Sequence, residues 1–218
     1  MRATRSTVPG ILLVAALLVS SCASKSGSSA ATVGCRYTAA GHATKAVGLP
    51  PATAGVAAKT ATLTTSQGTI TIKLDAAKAP CTVNSLSFLA GKKYFDATPC
   101  HRLTTSGIFV LQCGDPSGTG SGSPGYQFAS ENLTGATYPI GTVAMANAGP
   151  GTNGSQFFLV YQDTTLKPKY TPFGTITGGL DVVRKVALAG SDESHGPGDG
   201  APKLAITIST LRVAKGKP

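Results

Sequence analysis

Leu63-Thr64-Thr65-Ser66-Gln67-Gly68-Thr69-Ile70-Thr71-Ile72-Lys73-Leu74 places apolar residues at every second position around a polar turn. Leu63, Ile70, Ile72 and Leu74 fall on one face of the pleat, and Thr69, Thr71 and Lys73 on the other. This predicts a hairpin of half-buried strands and the start of a domain at Lys59. Outward from the hairpin, short apolar runs recur at 100–103, 109–113, 142–146, 157–161 and 173–176, each bounded by Gly, Pro, Asn or Asp, and Leu204, Ile206 and Ile208 alternate in a last strand. Helical spacing is confined to Val83, Leu86, Leu89 and Ala90, which follow Pro80 and stop at Gly91, and to Leu180, Val183 and Ala187. The expectation for residues 59–215 is a mainly β fold of about eight antiparallel strands closed into a barrel and capped by two helices.

Composition agrees with a strand-and-loop protein. The 218 residues include 27 Gly and 14 Pro, and only 13% are charged. The net charge of +10 comes from 19 Lys and Arg that are scattered rather than clustered, a solvated basic surface and not a nucleic-acid footprint. Residues 1–22 read as a secretory signal peptide: Arg2 and Arg5, then an apolar run from Ile11 to Val19, too short for a comfortable membrane span. Val19-Ser20-Ser21-Cys22 resembles the bacterial lipobox, so Cys22 is the expected lipidation site. The implied location is extracytoplasmic, with a membrane partner reached through an N-terminal lipid anchor. Residues 23–58, rich in Ser, Ala, Gly, Thr and Pro and without apolar period, are expected to be a flexible tether.

Without Cys22 the chain keeps Cys35, Cys81, Cys100 and Cys113, an even set suited to disulfides in an oxidising compartment. Three pairings are possible. Cys35–Cys81 with Cys100–Cys113 is favoured, because the latter two lie on what read as successive strands. A zinc site at Cys100, His101 and Cys113 lacks a second closely spaced ligand pair, so no metal is expected.

The chemistry concentrates in Cys100-His101-Arg102-Leu103, in Phe109-Val110-Leu111-Gln112-Cys113-Gly114-Asp115, in the glycine-rich loop that follows, and in Met145-Ala146-Asn147-Ala148-Gly149-Pro150 through Asn153-Gly154-Ser155-Gln156-Phe157-Phe158. Together, in this order and spacing, these motifs resemble the cyclophilin family from about Ala61 to Val213. The resemblance implies peptidyl-prolyl cis-trans isomerase activity on proline-containing polypeptides, with no cofactor. It assigns Arg102 as the cationic donor to the twisted amide and Gln112 as its catalytic neighbour. Phe109, Val110 and Phe158 become the apolar proline pocket, Gln156 an orienting group, and Ala146 and Asn147 a strip for the substrate backbone. Where the family carries a rim tryptophan and a pocket histidine this chain offers Leu166 and Tyr170, so binding of cyclosporin-type inhibitors is expected to be weakened. About two residues more than the familiar pattern, in Thr104-Thr105-Ser106-Gly107, separate Arg102 from Gln112. Counting back from Gln112 selects Phe109, with Ile108 the alternative.

Other chemistries lack their parts. Gly154-Ser155-Gln156 has no second glycine for a nucleophile elbow, and the loop from Gly118 to Gly125 has no Lys-Ser/Thr for a phosphate loop. A binding module that keeps the pocket without turnover is the competing class, and the presence of Arg102 argues for catalysis. A monomer is expected.

Overall fold

The computed structural model describes residues 1–4, 31–57 and 59–215. The lipidation site Cys22, most of the signal peptide and residues 23–30 of the expected tether lie outside the described residues. In chain order the elements are β1 (Thr32–Gly34), β2 (Thr38–Ala39), β3 (Thr53–Gly55), β4 (Lys59–Thr65), β5 (Gly68–Leu74), α1 (Pro80–Gly91), β6 (Thr98–Pro99), β7 (Arg102–Thr104), β8 (Val110–Cys113), β9 (Tyr126–Gln127), β10 (Thr142–Met145), β11 (Phe157–Val160), β12 (Pro172–Gly178), α2 (Leu180–Leu188), β13 (Asp199–Gly200) and β14 (Thr207–Lys215).

The expected closed eight-stranded barrel is not what forms. Among the described residues the main sheet has ten strands, in the order β13-β7-β8-β11-β10-β12-β5-β4-β14-β6, and curls into a half-barrel whose end strands β13 and β6 do not pair. Both ends are two-residue strands. β6 carries Pro99, which has no N–H to extend a ladder. Such short edges offer little template for further pairing. The hairpin holds as expected, with Leu63 opposite Ile70 and Ala61 opposite Ile72. Its inward row, Leu63, Ile70, Ile72 and Leu74, is buried with Leu111, Phe157, Leu159 and Phe173 in the principal core.

Helix α1 packs over this core through Val83, Leu86, Leu89 and Ala90. Pro80 suits its first turn because the missing N–H would have no helical partner there. Ala79 supplies no side-chain cap. The carboxylate of Glu131 does so instead, accepting the N–H of Cys81 at 3.0 Å and of Thr82 at 2.7 Å. Gly91 is the last helical residue, and a left-handed turn follows at Lys93 (φ 55°).

Residues 31–57, expected to belong to the tether, are instead docked on the domain. Strand β1 pairs with β3, and β2 pairs with β9 on the far side of the glycine-rich loop. Cys35 is joined to Cys81 at the start of α1, and Cys100 to Cys113. Tyr37 is the apolar anchor, its ring edge-on to Tyr126 and Phe128 at 5.7 and 5.5 Å. Its hydroxyl donates to the Cys81 carbonyl at 2.7 Å and accepts from Asn84 at 3.0 Å. Burial pushes the Tyr37 phenol up to about 12, against a smaller lowering by Asn84. Two isolated side chains thus do what no apolar period announced. The Cys35–Cys81 bridge closes a separation of 46 residues. Replacing both cysteines with serine is therefore expected to destabilise the chain by roughly 2–4 kcal/mol, read as a lower urea midpoint with the main-sheet fold retained.

Candidate active site

Strand register builds the site. Arg102 on β7 stands opposite Gln112 on β8, Gln112 opposite Phe158 on β11, and Phe158 opposite Ala144 on β10, so these four residues form a row across four neighbouring strands. Alternation then sends Val110 and Gln112 to the outer face while Leu111 and Cys113 enter the core. The apolar members of the outer face form a second buried cluster, of Val110, Tyr138, Ala144, Phe158 and Val160, which explains why β11 is buried on both sides.

The same parity corrects one site assignment. Phe109 belongs to the opposite face, where its ring lies 6.1 Å from that of Tyr161 against the principal core. Ile108 takes the pocket position. The extra residues between Arg102 and Gln112 are absorbed in a tight turn at Gly107 (φ 70°), with the Ile108 N–H donating to the Ser106 carbonyl at 2.8 Å. Counting back from Gln112 by twos would have found Ile108 from sequence alone.

The resulting cavity, about 150 Å³, is lined by Arg102, Ile108, Val110, Gln112, Ala146, Asn147, Phe158, Leu166 and Tyr170. It has one cationic edge, apolar walls and room for a small ring. Gln156 stands just outside, joined through Gln112. Phe158 and Tyr170 meet edge to face at 5.6 Å. Tyr170 is held at both ends of its backbone by the Tyr138 hydroxyl, which donates to its carbonyl at 2.7 Å and accepts its N–H at 3.1 Å.

Arg102 is held from two sides. Its Nε donates to Oδ1 of Asp199 at 2.7 Å and its Nη2 to Oδ2 at 2.6 Å, while Nη1 donates to Gln112 Oε1 at 3.3 Å. A guanidinium has five N–H groups. Two of them, one on each terminal nitrogen, thus remain without a protein partner among the described residues. The network continues from Gln112 Nε2 to Gln156 Oε1 at 2.8 Å and from Gln156 Nε2 to the carbonyls of Gly120 and Gly122 at 2.9 and 3.1 Å. The carbonyl-bearing loop is fixed from beneath by Asp115, fully buried, which accepts the N–H groups of Ser117, Gly120 and Gly122. Burial works to raise the Asp115 carboxyl, but these hydrogen bonds together hold it below the usual carboxylate range.

Asp199 is the functional neighbour that sequence reading missed. It sits on β13 opposite Thr104, two residues along from Arg102 and hence on the same face. The hydrogen bonds and charge of Arg102 hold its carboxyl below the usual range, and Asp199 in turn holds the Arg102 proton more firmly than usual. His101, one residue from Arg102, is buried against the glycine-rich loop, its ring 3.6 Å from where a Cβ at Gly120 would lie, and it lines a groove there together with Arg102 and Gln112; burial lowers its basicity. It is a packed neighbour, but strict strand alternation would have put it on the face opposite Arg102. The backbone just before β7 departs from that alternation, with the His101 N–H donating to the carbonyl of Gln112, the residue that also pairs with Arg102. The Cys100–Cys113 bridge removes both thiolates as metal ligands.

Comparison with known proteins decides the family. The model of cyclophilin type peptidyl-prolyl cis-trans isomerases matches residues 60–213. The chain belongs to this cyclophilin family. This cyclophilin is 49% identical over 167 residues to a probable peptidyl-prolyl cis-trans isomerase B of Mycobacterium leprae, a match covering 70% of this chain and 56% of the relative. It is also 49% identical over 163 residues to the protein of the same description from Mycobacterium tuberculosis, covering 68% and 52%. The chain thus spans about half the length of these curated relatives. Among solved structures, a cyclophilin type isomerase of Cryptosporidium parvum superposes with a TM-score of 0.64 at 27% identity, over 74% of this chain and 99% of that one. The same protein solved in the presence of the dipeptide ala-pro gives 0.63, with 72% and 99% covered. The cyclophilin match begins at residue 60, so the docked segment 31–57 and its disulfide partner Cys35 lie outside it.

Proposed function

We propose that this protein catalyses cis/trans isomerisation of X-Pro peptide bonds in exported polypeptides. The observation that carries this reading is the uncommitted edge of Arg102 beside an apolar cavity sized for a small ring. Rotation about a peptide bond is opposed by a barrier of about 18–20 kcal/mol that arises from amide resonance, and no bond need break to cross it. Ile108, Val110 and Phe158 hold the prolyl ring while Arg102 donates to the prolyl carbonyl and to the lone pair that localises on nitrogen as the amide twists. That lone pair exists only near the transition state, so the interaction lowers the barrier rather than simply tightening binding. Gln112 and Asp199 keep the guanidinium plane fixed, which spares reorganisation at the moment of rotation. The Cryptosporidium parvum structure solved with ala-pro supports a dipeptide of this type as ligand.

The site of action is a bacterial extracytoplasmic surface, with the chain a monomer anchored by lipid on Cys22. The leader of residues 1–22 supports this, as do two disulfides, which persist in oxidising compartments. Two measurements test the proposal: the cis-to-trans relaxation rate of an Ala-Pro peptide, which the protein should accelerate, and incorporation of labelled palmitate into the intact chain, which Cys22→Ser should abolish. A folded protein that leaves the relaxation rate unchanged would move the function to peptide binding alone.

A further inference from the structure

Beside the proline cavity, and sharing Gln112, Ala146 and Asn147 with it, lies a second and larger compartment of about 410 Å³. Its floor is Tyr126 and Gln156, one flank is the loop from Gly120 to Pro124, and the opposite lip is Ala40 and Gly41. Those last two belong to the docked N-terminal segment, outside the residues that the cyclophilin family shares. Several contacts hold them there. Ala39 is registered opposite Tyr126, the Ala40 N–H donates to the Gly125 carbonyl at 3.0 Å, and the Thr44 N–H donates to the Ser123 carbonyl at 2.8 Å. The Ser123 N–H donates back to the Thr44 hydroxyl at 3.1 Å. Gly125, at φ 83°, leaves room for the segment to pack closely: a Cβ there would lie 2.9 Å from that of Ala43. Lys45 pins the far end to the carbonyls of Tyr94 and Asp96 at 3.0 and 3.2 Å, and Cys35–Cys81 closes the near end.

We propose that this stapled segment, through Ala40 and Gly41, is a specificity element: it completes the compartment that receives a substrate side chain flanking the X-Pro bond, and the compartment selects large uncharged side chains over charged ones. The proposal rests on the isomerase reading only for the placement of proline in the adjoining cavity. The continuity of the two cavities means that a peptide with its proline in the smaller one must run a neighbouring residue past the larger. Among the described residues, none that lines the larger one is charged. An ammonium or carboxylate entering it would leave water without an ionic partner, whereas the faces of Ala40, Pro124 and Ala146 reward apolar area.

The test is a titration of two peptide series around Ala-Pro, with the varied residue two positions before or two positions after the proline and taken as Phe, Gln, Gly, Lys or Glu. The parent chain should bind Phe roughly tenfold more tightly than Lys or Glu in one of the two series. Ala40→Phe, which fills the compartment, and Gly125→Val, whose side chain would collide with Ala43 and unseat the lip, should each cut that ratio to below about threefold. Near-UV circular dichroism would check that each is folded. A parent that does not discriminate, or a ratio that survives in a folded variant of either kind, overturns the proposal. Relaxation rates on the same peptides separate the two ideas: discrimination in binding without any isomerisation would overturn the catalytic reading and leave the role of the segment standing.

Discussion

Arg102→Ala is expected to lower kcat/KM toward an Ala-Pro peptide by about 10²–10³-fold, the usual loss when one preorganised donor to a transition state is removed. Because the donor meets nitrogen only when the amide is twisted, the loss should fall mainly on kcat, with KM changed by a smaller factor. Arg102→Lys should recover little of it. An ammonium is a point charge on a flexible stem and cannot engage both Asp199 oxygens, Gln112 and the substrate together. Stopped-flow or exchange NMR on the peptide measures both variants, and a lysine variant near parental activity would show that only the charge matters.

Asp199→Asn is expected to lower kcat by about 10–100-fold without touching the proline cavity, since small misplacements of a catalytic group cost that much. The asparagine amide can accept from one N–H of Arg102 but presents its own NH₂ to the other, so a donor faces a donor where a 2.6 Å ion pair stood. Asp199→Glu keeps the charge and should recover part of the loss. The pH dependence gives an independent readout. The carboxyl pKa is depressed in the folded chain, so the pair contributes stability that is fully present above the ordinary carboxylate value of about 3.9 and is lost as pH falls through the lower, folded value. Between pH 5 and 8 the parent should therefore melt above the Asn variant. Below pH 4 the gap should close, as the parent loses its carboxylate and the variant has none to lose.

Much of this was legible in the sequence because it rests on periodicity or on residue type. Alternation at Ile70, Ile72 and Leu74 gives the hairpin, the 3–4 spacing of Val83, Leu86 and Leu89 gives α1, and the run from Arg102 through Phe158 marks the site. What escaped are features that have no period. Asp199 sits on a two-residue strand inside a Gly- and Ser-rich loop, where neither alternation nor apolar content distinguishes it, and only its pairing with Thr104 brings it to Arg102. The docked segment is held by Tyr37, its one aromatic residue between 31 and 57, by one cysteine, and by hydrogen bonds of its backbone and of the Thr44 and Lys45 side chains, none of which has a period. Closure of the barrel failed as an expectation because strand counting says nothing about how short β6 and β13 are or whether they meet. The choice between Ile108 and Phe109 was a matter of parity, and the turn at Gly107 restores the parity that the longer loop had obscured.

Docking of residues 31–57 also changes the distance at which the protein would work from a membrane. A free chain from Cys22 to residue 58 could stretch about 120 Å at full extension, enough to let the domain range widely. With the chain fixed to the domain from Ala31 onward, the nine residue steps back to Cys22 span at most about 30 Å. An anchor at Cys22 would then hold the whole domain within about its own diameter of the lipid surface. Polypeptides emerging from that surface would be reached, and those already released into the surroundings would not.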